Sequence, residues 1–356
     1  MLMTGQDISQ NILARVTEAR STNTRLNICA GHSKSFYGRP SSGEQLDISG
    51  HTGVINYEPT ELVITARAGT PLKEIETVLD SENQMLAFEP PAFGETASIG
   101  GTVACGFSGP RRAFAGSARD FILGSTIING KAERIHFGGE VMKNVAGYDV
   151  SRLMCGAMGT LGVLLDVSIK VLPRPESEIT LVFEMRTAEA LKRVHQLARQ
   201  SLPISATCFD DDKLYVRLSG TEGAIKSAQK QLGGDELPGG DNFWYRLKEH
   251  ELEFFEQGKN IWRVSLASNS PILNLHGTQF YEWNGALRWL ASDDEGEKIR
   301  NEVSRYGGHA VCFHQFGKQE QVFHPLDTGL LKINRNLKSA FDPDAILNPG
   351  RMYAEI

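Results

Sequence analysis

The segment that decides the fold is Ala97-Ser98-Ile99-Gly100-Gly101-Thr102-Val103-Ala104-Cys105-Gly106, which sets two adjacent glycines among apolar residues. Adjacent glycines let a flat ring approach the main chain closely, and the hydroxyls of Ser98 and Thr102 can hydrogen-bond a ligand. A tight bend between two buried strands would also need Gly100 and Gly101. The segment therefore predicts a close approach of the backbone, either to a ligand or to another strand.

Glycines are concentrated around this segment, because residues 94–162 hold 14 of the 36 glycines in 69 positions. Glycines placed between β-rich runs indicate positive φ or close approach by a ligand. The flanking patterns predict helices at 7–20 and 71–83 and strands at 26–29 and 62–66. These elements mix without strict βαβ regularity, so the predicted fold class is α+β.

A boundary is predicted at Pro173-Arg174-Pro175, because two prolines around one residue cannot continue a central strand. This gives a first domain at 1–175 and a second at 176–356, whose C-terminal end returns to the first. The pattern beyond the boundary predicts two successive sets of β-α-β-β-α type, at 179–232 and 242–313. We therefore expect the second domain to be a duplicated ferredoxin-like cap.

Three further glycine segments carry candidate chemistry. Ala30-Gly31-His32-Ser33-Lys34-Ser35 follows the strand at 26–29, and its N–H groups can form a nest for a pyrophosphate, although a plain strand-ending turn is the alternative. In the segment 138–149, we expect Asp149 to be the N-cap of a short helix over 150–155 rather than a catalytic group. The run from Gly156 to Val163 precedes a strand and lacks the spacing of the dinucleotide fingerprint.

Composition excludes several classes of protein. The net charge of −6 argues against a nucleic-acid binder, which gains affinity by neutralising phosphates. The most apolar run, 161–172, contains Asp166 and Lys170, so no membrane span is predicted. The N-terminus shows no secretory signal, and we expect a cytoplasmic protein. The five cysteines are scattered, which predicts neither a disulfide framework nor an iron–sulfur cluster of the chain's own.

Together, these segments resemble the FAD domain of the p-cresol methylhydroxylase/vanillyl-alcohol oxidase family over residues 1–175. The resemblance continues at 341–351, which reads Phe-Asp-Pro-Asp-Ala-Ile-Leu-Asn-Pro-Gly-Arg. Three stretches, 105–112, 138–149 and 285–289, are similar to the FAD-binding E subunits of bacterial glycolate dehydrogenase (glycolate oxidase). The order and spacing of these motifs carry the resemblance.

The resemblance implies an FAD-binding site and gives its residues. FAD would be bound without a covalent bond. Part of the family attaches the flavin covalently through a histidine, and His32 stands at that position in this sequence. Arg288 or Arg351 would supply a positive charge near the reduced flavin. These two arginines are the catalytic candidates. The implied cofactor-binding residues are Gly31, His32, Ser33, Lys34, Ser35, Ser98, Gly100, Gly101, Thr102, Gly159, Gly162, Val163 and Asn348.

The resemblance also implies partners: a sister FAD-binding catalytic subunit that oxidises glycolate or a similar 2-hydroxy acid, and an iron–sulfur subunit that takes the electrons onward. The complex would be cytoplasmic or peripheral at the inner membrane. Catalytic relatives carry a late histidine-rich, metal-binding stretch, which residues 313–320 lack. We expect His309, Cys312, His314 and His324 to be ordinary strand residues and no metal to bind.

Two alternatives remain open from the sequence. Instead of a flavin subunit of a glycolate dehydrogenase complex, the alternatives are a self-sufficient flavin oxidoreductase for another hydroxy acid or sugar, and a non-catalytic assembly subunit. Trp283 and Trp289 flank Arg288 and would form either an interface or part of the cap core.

Overall fold

The computed structural model describes residues 5–139, 149–210, 212–315 and 321–356. The helices are α1 Ser9–Thr22, α2 Leu72–Asp80, α3 Ile99–Cys105, α4 Arg112–Ala115, α5 Ala118–Phe121, α6 Val150–Leu153, α7 Thr187–Leu197, α8 Glu222–Leu232, α9 Gly240–Lys248, α10 Gly296–Ser304 and α11 Thr328–Phe341. The strands are β1 Leu26–Cys29, β2 Glu44–Asp47, β3 Val54–Glu58, β4 Val63–Arg67, β5 Gln84–Met85, β6 Ile122–Ile128, β7 Arg134–Gly138, β8 Val163–Lys170, β9 Leu172–Pro173, β10 Ser177–Glu184, β11 Ile204–Phe209, β12 Lys213–Gly220, β13 Asp235–Glu236, β14 Ile261–Ser265, β15 Thr278–Glu282, β16 Leu287–Ala291 and β17 His309–His314.

The chain divides into two compact units. Unit 1 comprises Met1–Ser108, Gly116–Pro173 and Pro325–Ile356, and unit 2 comprises Gly109–Ala115 and Arg174–His324. The division therefore passes between Pro173 and Arg174. The C-terminal segment belongs to unit 1, and the short segment Gly109–Ala115 is packed with unit 2.

Unit 1 is built on an antiparallel sheet with the strand order β3-β4-β8-β6-β7. The central strand β8 pairs with β4 and β6, and its Leu165 and Val167 are fully buried. A separate parallel pair, β1 and β2, is extended by the C-terminal segment, because Leu347 bridges Leu26 in parallel. The return of the chain thus completes a small sheet beside the N-terminal strand.

Within the segment 97–106, residues Ile99–Cys105 form helix α3, whereas the alternative considered from the sequence was a tight bend between two strands. Ser98 is its N-cap, accepting a hydrogen bond at its Oγ from the N–H of Gly101 at 3.1 Å. The helix ends at Gly106, which has a φ of +66° and closes the last turn. Two glycines in one short helix are unfavourable by propensity alone, so contacts with the rest of unit 1 select this conformation.

Unit 2 contains an antiparallel sheet with the strand order β13-β10-β12-β11-β15-β16-β14-β17. Each half has the ferredoxin-like order, in which the first strand lies between the third and the fourth. The halves join through β11 and β15. Helices α7 and α8 bury Val194 and Ile225 against the first half, and α10 buries Ile299 against the second. The predicted duplicated ferredoxin-like cap is confirmed.

Helix length and hydropathy bear on membrane insertion. Among the described residues, no helix has both the length and the apolar character needed to cross a bilayer.

Candidate functional site

A cavity of about 180 Å³ lies within unit 1, between β1, α3 and the C-terminal segment. Most of the residues that the sequence assigned to a cofactor line it. They are Gly31, His32, Ser33, Lys34, Ser35, Ser98, Gly100, Gly101, Gly159, Gly162 and Asn348, and the candidate Arg351 lines the cavity as well. The structure therefore brings four segments, far apart in the sequence, to one concave surface.

The loop after β1 presents backbone donors to this cavity. His32 has a φ of +57°, and the N–H of Ser35 donates to its carbonyl at 3.0 Å. Within the described residues, the backbone N–H groups of Gly31, His32 and Ser33 donate to no acceptor. Gly31 is required by packing, since a Cβ there would lie 1.4 Å from the carbonyl oxygen of Thr96. Successive unpaired N–H groups in such a turn form a nest for an anion.

Helix α3 contributes shape rather than donors. The N–H of Ile99 donates to Thr70 at 2.9 Å, and that of Gly100 donates to Ala68 at 2.8 Å. The N–H of Gly101 is taken by Ser98, so the first turn is satisfied within the protein.

The two glycines of α3 have different reasons to be glycine. A Cβ at Gly100 would lie 2.6 Å from both the Cβ and the carbonyl oxygen of Ala68. A Cβ at Gly101 would meet only Ser98 Oγ, at 3.2 Å, and would otherwise enter open space at the cavity wall. Gly100 is thus needed for packing, whereas Gly101 leaves room for a ligand.

Asn348 joins two walls of the cavity. Its Oδ1 accepts a hydrogen bond from the N–H of Ile28, and its Nδ2 donates to the carbonyl of Met158, both at 2.7 Å. A Cβ at Gly159, which has a φ of +73°, would lie 2.7 Å from that same Nδ2. The carboxamide therefore holds the walls in place through one acceptor bond and one donor bond to the protein.

Two cations line the cavity, and both also bond the protein. Lys34 is buried and donates from Nζ to the carbonyl of Ala92 at 3.1 Å and to Ser33 Oγ at 3.3 Å. Arg351 donates to three backbone carbonyls of the loop after β1, those of Ser35, Tyr37 and Arg39. Burial lowers the pKa of the Arg351 guanidinium from its ordinary value, yet leaves it a cation at neutral pH.

The cavity also contains a thiol. Burial raises the pKa of Cys105 to about 11, so its side chain is a neutral thiol at neutral pH.

Three residues that the sequence singled out do not line the cavity. Thr102 and Val163 are fully buried, and Thr102 Oγ1 has no hydrogen-bond partner in the described part of the chain. Arg288 lies in unit 2, where its guanidinium donates to the carbonyls of Gly285, Pro271 and Ser270. These bonds give Arg288 a structural role within unit 2, and its role as a cation of the flavin site stays a prediction.

The tryptophans around Arg288 are part of the core of unit 2, not an exposed interface. Trp283 and Trp289 are 5% and 3% exposed. Trp283 Nε1 donates to the carbonyl of Gly109 at 3.0 Å, and Trp289 Nε1 donates to Glu282 at 2.7 Å. An arginine flanked by two tryptophans has the composition of a contact surface, but these two tryptophans belong to the buried core of unit 2.

The structure describes only part of the segment 138–149, and the prediction for residues 140–148 falls on residues outside the described ranges. Asp149 is the N-cap of α6, and its Oδ1 accepts from the N–H of Arg152 at 3.3 Å. The late histidines give no metal site in the described ranges, where no three His, Cys, Asp or Glu side chains are placed to hold an ion.

Sequence reasoning missed several apolar lining residues. Ile28, Ile48, Met158 and Leu164 form much of the apolar wall. Met158 lies between Gly156 and Gly159, in a segment that the sequence already assigned to the site. Its place in the cavity wall could therefore have been predicted. Ile48 follows the short polar strand β2, and nothing in its sequence context distinguishes it.

Comparison with known proteins agrees with this geometry. The family described as an FAD binding domain matches residues 9–138. The chain is 49% identical to the glycolate oxidase subunit GlcE of Escherichia coli K12 over 350 residues, which cover 98% of this chain and 99% of that protein. It is 28% identical to the glycolate oxidase subunit GlcD of Bacillus subtilis, over 85% of this chain and 77% of that protein.

Among solved structures, alkyldihydroxyacetonephosphate synthase is similar in fold, with a TM-score of 0.66, 15% identity and coverage of 96% of this chain and 75% of that one. The predicted α+β flavin-domain fold is thereby confirmed, as is the resemblance stated from the motifs. The chain belongs to the family of the glycolate oxidase subunit GlcE and contains an FAD binding domain.

Proposed function

We propose that this chain is the FAD-binding subunit of a multi-subunit 2-hydroxy-acid (glycolate) dehydrogenase, assisting the oxidation of glycolate to glyoxylate or relaying its electrons. The observation that carries the proposal is the 49% identity to a glycolate oxidase subunit over nearly the full length of both chains. The cavity supplies the second support, because its residues suit an extended dinucleotide.

The residues present fit FAD. The unpaired N–H groups of Gly31, His32 and Ser33 would hold the pyrophosphate, with the Lys34 ammonium near its charge. Open space at Gly101 is a second observation that favours a bound ring or ribose, since no protein atom occupies it. When bound, FAD would supply the two-electron redox chemistry, which no side chain of the site provides.

This chain's own groups would position the cofactor and shape its electrostatics. Arg351 would hold the loop after β1 in its binding conformation through three carbonyls, while adding positive charge to the cavity. Asn348 would keep β1 and the loop at Met158 at a fixed separation. The apolar wall, which includes Ile28 and Leu164, would exclude water from the bound cofactor.

The names of two relatives support a partner subunit. GlcE and GlcD are named as different subunits of glycolate oxidase, and this chain is similar to both. We infer a sister FAD-binding subunit that oxidises the hydroxy acid, and an iron–sulfur subunit that accepts the electrons. The cytoplasm, or the surface of the inner membrane through this complex, stays the predicted location.

The test is purification of the chain alone and together with its co-purifying partners. We expect the isolated chain to be yellow, with a flavin absorption spectrum, and the complex to reduce a dye with glycolate. A colourless chain that does not take up added FAD would refute the flavin assignment and favour an assembly subunit. A yellow complex that is inactive with both glycolate and D-lactate would refute the substrate class alone.

A further inference from the structure

A second cavity, of about 280 Å³, lies on unit 1 at a different part of the five-stranded sheet. On β8 its residues Asp166 and Ser168 alternate with Leu165 and Val167, which are fully buried, so the cavity lies on the opposite face of the strand from that core. Strands β4, β6 and β7 contribute further polar side chains.

Two opposite charges in this cavity are unpaired. Asp166 is in register with Arg67 across the ladder, but Arg67 donates to the carbonyl of Thr52 at 3.1 Å and lies 3.9 Å from Asp7. In the part of the chain that the structure describes, the Asp166 carboxylate makes no hydrogen bond or ion pair, and neither does the Arg134 guanidinium. Because Arg67 forms no ion pair with Asp166 across the strands, the Asp166 carboxylate is available to a ligand.

His51 lines the cavity and provides a donor to it. It is 2% exposed, and its Nδ1 accepts a hydrogen bond from the N–H of Ile8 at 3.2 Å. The proton of the neutral ring is therefore on Nε2, which has no acceptor among the described residues. Burial lowers the pKa of His51, while the nearby Asp7 carboxylate acts to raise it. The ring thus offers one N–H donor to the cavity, beside Asp7, whose Oδ1 lies 3.7 Å from its Nδ1.

The hydroxyl groups of the cavity are satisfied internally, which narrows the choice of ligand. Thr65 and Ser168 bond each other at 2.9 Å, and Thr126 bonds His136 Nδ1 at 3.0 Å. The groups left for a ligand are then the Asp166 carboxylate, the Arg134 guanidinium and the His51 N–H, beside the oppositely charged Asp7 and Arg67, which lie 3.9 Å apart.

We propose that this cavity binds a small zwitterion of the α-amino acid class, with its ammonium group on Asp166 and its carboxylate on Arg134 and His51. Asp166 is in register with Thr126, which is in register with His136, so Arg134 lies two strand spacings, about 10 Å, across the sheet and two residues, about 7 Å, along it. The long arginine side chain and the length of the ligand together span that separation. A simple anion would meet Asp166, and a simple cation would meet Arg134. Only a ligand with both charges satisfies both groups.

The test is isothermal titration calorimetry of the flavin-loaded chain with glycine and with L-serine, using acetate and ethanolamine as half-ligands. We expect saturable 1:1 binding of at least one amino acid, with much weaker binding of either half-ligand. Asp166→Asn and Arg134→Gln should each weaken the binding roughly ten- to a hundredfold, as expected for the loss of one charged hydrogen bond.

Asp241→Asn is the matched control, because it makes the same charge change in the first turn of α9 in unit 2 and should leave binding unchanged. Arg134 is exposed, so its variant keeps the test valid even if Asp166→Asn folds poorly. Absence of saturable binding by either amino acid would overturn the proposal. Equal binding of acetate or ethanolamine, or unchanged affinity in Arg134→Gln, would overturn it as well.

Discussion

Asn348 accepts a hydrogen bond from the backbone N–H of Ile28 at 2.7 Å, although 320 positions separate the two residues. The same carboxamide donates to Met158, so one side chain near the C-terminus holds two walls of the flavin cavity. The motif Leu347-Asn348-Pro349-Gly350-Arg351 therefore contributes to binding mainly through the loops that it positions. Loss of the return segment would open the cavity even if every residue of the glycine loops were kept.

Asn348→Ala should destabilise the protein and weaken FAD binding. The substitution leaves the N–H of Ile28 and the carbonyl of Met158 without partners in a buried region, at a cost of about 1–3 kcal/mol for each group. Denaturant unfolding and FAD titration would measure both effects. Asn334→Ala is the control, since among the described residues the Asn334 side chain bonds just the carbonyl of Leu330, one turn away within α11. Equal stability of the two variants would contradict the role given to Asn348.

Gly101→Val should abolish FAD binding while leaving most of the fold intact. Its side chain would enter the open space at the cavity wall, where the nearest protein atom to a Cβ is Ser98 Oγ at 3.2 Å. The matched variant Gly100→Ala should instead unfold the domain, because its Cβ would lie 2.6 Å from the carbonyl oxygen of Ala68. Circular dichroism and the flavin spectrum separate the two outcomes. Normal flavin content in Gly101→Val would place the ligand elsewhere.

Gly100 and Gly101 also show how much of the site could be predicted from the sequence. The sequence identified both as positions of close approach, but could not say that Gly100 faces the protein and Gly101 the cavity. It missed helix α3 because two glycines oppose a helix, whereas the bonds to Ala68 and Thr70 that favour it come from a distant segment. Arg288 was suggested from its charge and its motif, and no local pattern could reveal the three carbonyls that it bonds.

FAD should be released by acid precipitation, because we predict non-covalent binding. His32 is exposed at the cavity rim with a φ of +57°, and its role as a member of the N–H nest depends on its backbone rather than on its ring. His32→Ala should therefore bind FAD with an affinity close to that of the parent. Yellow colour that stays with the precipitated parent, and is lost from the precipitate of His32→Ala, would demonstrate the covalent bond instead.

Unit 2 should lose stability in acid through His250. The ring stacks on Phe255 at 4.0 Å and meets Trp289 edge-on at 4.7 Å, and burial, with Arg263 and His314 nearby, lowers its pKa to about 3. The folded state thus binds this proton far less readily than the unfolded state. Its contribution to stability is complete above about pH 6.5 and is lost as the pH falls towards 3.

The measurement is the free energy of unfolding against pH for the parent and for His250→Phe. The phenyl ring keeps the stacking and cannot be protonated. We expect the slope between pH 6 and 4 to fall by up to about 1.4 kcal/mol per pH unit in the variant. Identical slopes would indicate that other groups govern acid unfolding.

The isolated chain should bind FAD yet oxidise glycolate poorly, with activity appearing on assembly. A glycolate carboxylate needs a cation near the flavin, and the two arginines that the sequence offered are both engaged. Arg351 bonds three carbonyls of the loop after β1, and Arg288 bonds three carbonyls within unit 2. Moving either one to a substrate would leave its carbonyls unsatisfied, at an energetic cost that a small carboxylate cannot readily offset.

The comparison is glycolate-dependent dye reduction by the chain alone and by the chain with its co-purifying partners, at equal flavin content. We expect turnover by the chain alone to be lower by roughly tenfold or more, equivalent to at least about 1.4 kcal/mol in the barrier. Arg288→Lys should lower the stability of unit 2 without changing the turnover of the assembled complex per folded molecule, because its role is structural. Robust turnover by the isolated chain would instead identify a self-sufficient oxidoreductase, whose substrate carboxylate must then be bound by a cation other than these two arginines.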